Sequence, residues 1–222
     1  MEDVEKKDTL PNPHLQLLQE KEQFRPLLEQ AIHNDPNFQT INGLGLFAHN
    51  LQNELYSTNS ISKGDLGRKI SNSGIELAAR VPATLIDRTD VDLGYETQNI
   101  AAWLRKKGLD AKLKGRQRVR FSGGNETKAN NATETWFSQE DFTPGGLVLA
   151  YEYLAQKMTE HSALSEQPED KKVLKLASVM ASIVSEEIRS VVLEGKALDA
   201  NTTKAILKNP LADAGIEIVD KV

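Results

Sequence analysis

A chain of 222 residues that is 39% apolar and 27% charged is long enough to bury a core without covalent staples and too apolar for wholesale disorder. It has no cysteine, which excludes disulfides, thiolate nucleophiles, cysteine zinc sites and iron–sulfur ligation together. The net charge of −5 is uneven: Arg105 to Arg120 carries +7, leaving −12 for everything else, so an acidic body bears one basic segment.

Residues 1–11 read as a flexible, charged tail, and 12–222 as one helical domain. Met1 to Asp8 lacks the apolar stretch of a secretory signal, and no segment approaches the roughly 18 apolar residues of a membrane span; the expected location is cytoplasmic, and sequons at Asn125, Asn131 and Asn201 carry no weight there. Asn12 and Pro13 open a first helix, with an N-cap followed by proline at the first helical position. Leu15, Leu17, Leu18, Phe24, Leu27, Leu28, Ala31 and Ile32 follow at helical spacing, and Pro26 is expected to kink or split the run. Ile41, Leu44, Phe47, Leu51 and Leu55 mark a second helix over 38–56. A third is expected over 63–80, weakened by Gly64, Gly67 and Gly74 and ended by Pro82.

Asp90 or Asp92 caps a helix through Ile100, Trp103 and Leu104, which ends on cations and Gly108. From Lys112 to Arg120 every second residue is then a cation, which on an extended chain gathers the charges on one face and Leu113, Val119 and Phe121 on the other. This is a strand or hairpin near 110–121, inside an exposed basic insertion at about 109–142 whose polar stretch Ser122 to Thr135 reads as a loop. Thr143 and Pro144 open a helix with Leu147, Tyr151, Leu154 and Met158 on one face. Pro168 opens a long one, to Glu194, whose wide apolar face is that of a central helix, and Gly195 stops it. Asp199 caps a short helix to Lys208, ended by Pro210, and Ile216 to Val219 reads as a terminal strand. The fold class expected is mainly α, a bundle of six or seven helices with a small β element.

Chemistry is scarcer. His14, His33, His49 and His161 lie on separate elements without metal-ligand spacing, so no metal and no cofactor is expected. Counting an EF-hand from Asp90 puts Tyr95 where glycine is required and Ala101 where glutamate is, so Asp87, Asp90, Asp92 and Glu96 read as capping residues. Neither a nucleophile elbow nor a P-loop occurs, and Gly123–Gly124 reads as a turn. Glu186 and Glu187 read as solvated residues of the long helix.

The candidate site is therefore the basic segment: Arg105, Lys106, Lys107, Lys112, Lys114, Arg116, Arg118 and Arg120, with Trp103, Phe121 and Trp136 as stacking or anchor residues. Acidity elsewhere favours a non-catalytic protein–protein interaction or adaptor role, as a subunit of a larger assembly with an acidic protein partner. The alternative is nucleic-acid binding through residues 105–120; an anionic membrane surface ranks below both. An enzyme without recognisable motif is a third class, and an edge strand whose charges merely block aggregation needs no ligand.

Overall fold

The computed structural model describes residues 12–57, 65–115, 118–124 and 136–221; the expected tail at 1–11 lies outside them. Among the described residues the fold is mainly α-helical, with eight α-helices and four short strands. The Asn12 side chain accepts from the His14 N–H and opens α1 (Pro13–Asn34), which continues past Pro26. A 3-10 turn at Pro36–Gln39 leads to α2 (Ile41–Tyr56), capped by Thr40.

The single helix expected over 63–80 is two, α3 (Asp65–Ser73) and α4 (Ile75–Asp87). They divide at Gly74, whose φ of +74° is left-handed and inexpensive only for glycine. Pro82, expected to end the helix, lies buried inside α4. It forfeits the bond its N–H would make to Ala78, and burial of Ala79, Val81, Leu85 and Ile86 around it carries the helix through that defect.

Asp92 Oδ1 accepts from the N–H groups of Gly94 and Tyr95 and caps α5 (Leu93–Arg105). Thr143 caps α6 (Pro144–Leu164), and α7 (Pro168–Glu194) stops at Gly195, both as expected. Asp199 caps α8 (Ala200–Asp213), which runs through Pro210 and past the expected end at Lys208. Helices α6 and α7, joined by three residues, form the central hairpin; α4 packs on α7, α2 on α4, and α1 on α6. Leu147, Tyr151, Leu154, Met158, Leu176, Met180, Ile183 and Val184 fill the space between them.

The strands form two separate antiparallel pairs. β1 (Asp90–Asp92) pairs with β3 (Arg118–Arg120), and β2 (Leu109–Leu113) pairs with β4 (Ile216–Asp220). The alternating segment is thus no hairpin: its two halves belong to different sheets, and β4 is the terminal strand read from Ile216 to Val219. The expected exposed insertion also feeds the core, with Phe121, Phe137 and Phe142 all buried. Phe137 and Phe142 lie 5.0 and 5.7 Å from Phe24 between ring centroids.

Candidate functional site

Each half of the basic segment meets an acidic strand. Asp90-Val91-Asp92 runs antiparallel to Arg118-Val119-Arg120, placing Asp90 opposite Arg120 and Asp92 opposite Arg118. Glu217 of β4 stands opposite Lys112. Complementary strands explain the alternation locally, because opposite charges across an antiparallel pair stabilise it and like charges do the reverse.

The eight cations have different fates. Arg105 Nε is 3.2 Å from Asp110 Oδ2. Lys106 is exposed and lies over the bend at Gly74. Lys107 is withdrawn from solvent altogether, its side chain 4% exposed: Nζ donates to Glu187 Oε1 and to Leu198 O, each at 2.7 Å, and lies 5.4 Å from the centroid of the Trp103 ring. Lys114 Nζ is 2.6 Å from Glu217 Oε2 and, by hydrogen bond and by charge, holds that carboxyl below its ordinary pKa. Arg118 reaches Asp90 Oδ2 at 3.6 Å with both side chains more than half exposed. Lys112 and Arg120 are exposed and form no ion pair with a described residue. Arg116 lies outside the described residues.

Two of the three expected stacking residues are core residues instead. Trp103 and Phe121 are fully buried: alternation turns Phe121 inward with Val119, and Trp103 sits on the buried face of α5. Trp136 is half-buried, its Nε1–H donating to Asp35 Oδ2 at 3.1 Å and its ring edge-on to Phe38 at 4.6 Å. Of the three, Trp136 alone keeps part of its surface in solvent.

Beside β3 runs a groove of about 330 Å³, walled by Arg118, Val119, Arg120 and Ser122 on one side and by Gln167, Glu169 and Asp170 at the start of α7 on the other. Asp170, 5% exposed, closes one end by accepting from the Ser122 N–H at 3.0 Å and from the Ser122 hydroxyl. Gly124 holds the chain just past β3 so close to α4 that a Cβ there would overlap the Arg88 carbonyl.

No family model, no curated protein and no solved structure matches the chain. The site therefore rests on its own geometry.

Three carboxyls expected at caps or on a solvated face are buried. Glu187, expected on a solvated face, is 0% exposed; burial raises its pKa although Lys107 opposes the shift. Asp87 and Glu96, expected as capping residues, are buried at 9% and 2% exposure. Burial pushes Asp87 up to about 7 and raises Glu96 as well, the latter despite a hydrogen bond from Asn99 at 3.1 Å. Only Asp92 of that acidic run caps a helix, while Asp90 faces the basic strand. Among the described residues no group of His, Asp or Glu side chains has the arrangement of a metal site.

A second cleft, of about 220 Å³, lies between α2 and the segment before α6 and is lined by Asn50, Asn53, Glu54, Ser57, Phe137, Gln139 and Phe142. Burial raises the pKa of Glu54 there. It offers amides, one carboxyl and phenyl faces.

Proposed function

We propose that the protein is a non-catalytic interaction or adaptor protein that docks an acidic protein partner on the Arg118–Arg120 face of β3. The observation that carries this reading is the arginine face of β3 beside the groove: two exposed guanidinium groups stand there, opposite the wall that Glu169 and Asp170 line, one without an ion-pair partner among the described residues and the other held only at 3.6 Å. Exposed pairs of this kind contribute about 0–1 kcal/mol, so a partner's carboxylates replace them at little cost. Charge complementarity of this sort sets encounter rate and register. Arginine also serves better than lysine here, since its planar fork meets a carboxylate with two hydrogen bonds at once.

Nucleic-acid binding through residues 105–120 is the weaker reading. Burial of Trp103 and Phe121 removes two of the three candidate stacking surfaces a single strand would use, and Lys107, Arg105 and Lys114 are engaged by carboxylates.

Binding of poly-glutamate and of a single-stranded oligonucleotide, each measured by fluorescence anisotropy over a salt series, separates the two. The expected outcome is salt-sensitive binding of poly-glutamate that Arg118→Glu with Arg120→Glu abolishes. Equal loss of tight oligonucleotide binding in that variant would replace the protein partner with nucleic acid. Poly-glutamate binding that survives the double reversal would remove this face from the function.

A further inference from the structure

We infer that the partner adds to β3 as a third strand, and that it is an extended peptide alternating acidic with apolar residues. This rests on the acidic-partner reading and specifies how that partner is held.

The backbone supplies the first argument. Phe121 N–H donates to Thr89 O at 2.7 Å, so these residues form a hydrogen-bonded pair next to β1 and β3. Such pairs alternate along an antiparallel ladder; the next is Val119 opposite Val91, and Arg118 and Arg120 occupy the positions between. Their N–H and C=O groups consequently point away from β1. β3 has no other strand beside it among the described residues, and no described residue accepts from either N–H.

Ser122, two residues on and of the same parity, shows where these groups point. Its N–H donates to Asp170 Oδ1 at the start of α7, so the open edge of β3 faces the groove. A carboxylate oxygen occupies, for Ser122, the place that a neighbouring strand's carbonyl takes in a sheet. For Arg120 and Arg118 that place is the groove. The edge presents two N–H and two C=O groups over three residues, a length of about 10 Å, and an unpaired edge of this kind is the template for strand addition.

Side chains then select the occupant. β1 already demonstrates the complement of Arg-Val-Arg: it is Asp-Val-Asp in antiparallel register. A strand with the same alternation on the opposite edge sets its carboxylates beside Arg118 and Arg120 on the outer face and its apolar residue beside Val119, which is 8% exposed. A second copy of this chain is a poor occupant, because antiparallel pairing of two β3 edges sets arginine against arginine, and like charges directly opposite destabilise a ladder.

Two chemically distinct lesions test the mode of binding on the full chain, with a fluorescein-labelled eight-residue peptide alternating Asp and Val as probe. Arg120→Pro removes one outward N–H and leaves the β1 ladder untouched, whereas Arg120→Gln removes the charge and keeps the N–H. Strand addition predicts about tenfold weaker binding for the proline variant than for the glutamine one, a difference of the size one or two backbone hydrogen bonds give. The second lesion is in the probe: N-methylation of alternate residues blocks one edge of the peptide without changing its charge, and is expected to weaken binding to the wild-type protein by a similar factor in one of its two registers. It holds whether or not the proline variant folds.

Equal binding by the methylated and unmethylated probes, with loss on Arg118→Glu and Arg120→Glu, overturns strand addition and leaves an acidic partner held by charge alone. Failure of the wild-type protein to bind the alternating peptide while it still binds poly-glutamate overturns it too. Binding that ignores the charge reversal overturns the acidic-partner reading itself.

Discussion

The two ends of the basic segment are alike as text and opposite in the molecule. Lys107 is closed into the protein against Glu187, Trp103 and the Leu198 carbonyl, while Arg118 and Arg120 stand on an exposed strand edge beside a groove. At the first end a charge is part of the core and its removal is a folding event; at the second it is a surface property that folding hardly notices. The difference lies in what surrounds each cation. Desolvation makes a buried charge depend wholly on its partner, and solvent makes an exposed one nearly independent of its own.

The largest effect expected from breaking this contrast is at the buried end. Lys107→Met leaves the Glu187 carboxylate enclosed without its counter-charge and is expected to cost about 3–5 kcal/mol in urea denaturation, most of it recovered by adding Glu187→Leu, since an apolar pair of similar volume replaces a buried ion pair with little loss. A cost below about 1 kcal/mol would place the Lys107 ammonium in solvent and dissolve the comparison.

Asp87 sharpens it, because this buried carboxyl lies against Gly45 of α2 and draws on Arg88 alone for opposing charge. Its pKa is pushed up to about 7, from an ordinary value of 3.8, chiefly by burial. The native state therefore keeps a proton that the unfolded chain has already released. That contribution to stability is complete below about pH 4 and is lost as pH rises through about 7. Between pH 5 and pH 8 the wild-type protein is expected to lose about 3 kcal/mol from this group, and Asp87→Asn to flatten the profile. A profile with the same slope in both proteins would show that Asp87 is solvated.

The smallest effect belongs to the exposed end. Arg118→Gln is expected to move stability by less than about 0.5 kcal/mol, because the Asp90 pair is long and wet, while weakening poly-glutamate binding severalfold. A stability loss above about 1 kcal/mol would mean that the arginine face holds β3 to β1 and is not available to a partner.

Much of the helical fold was legible. Thr143-Pro144, Asp199, Asn12 and Gly195 sit at helix ends because capping and left-handed termination depend on nearest neighbours, and the expected start and stop at each is observed. The candidate site was legible only in part: the period-two cations did mark extended chain, and their outward face is real at Arg118 and Arg120. Pro82 and Pro210 misled, because local rules end a helix there and packing against neighbouring helices carries it on.

What the sequence by itself determined is whatever depends on residues close along the chain: helix spacing, caps, the glycine stops, and the alternation that makes residues 118–120 a strand. Only the tertiary structure decided that the segment divides between two sheets, that β1 and β4 bring aspartate and glutamate to face it, that Lys107 lies 80 positions from its partner yet touches it, and that one edge of β3 has no strand beside it among the described residues. Those are contacts between residues far apart in sequence, and nothing in local periodicity encodes which distant strand will arrive or which charge solvent will reach.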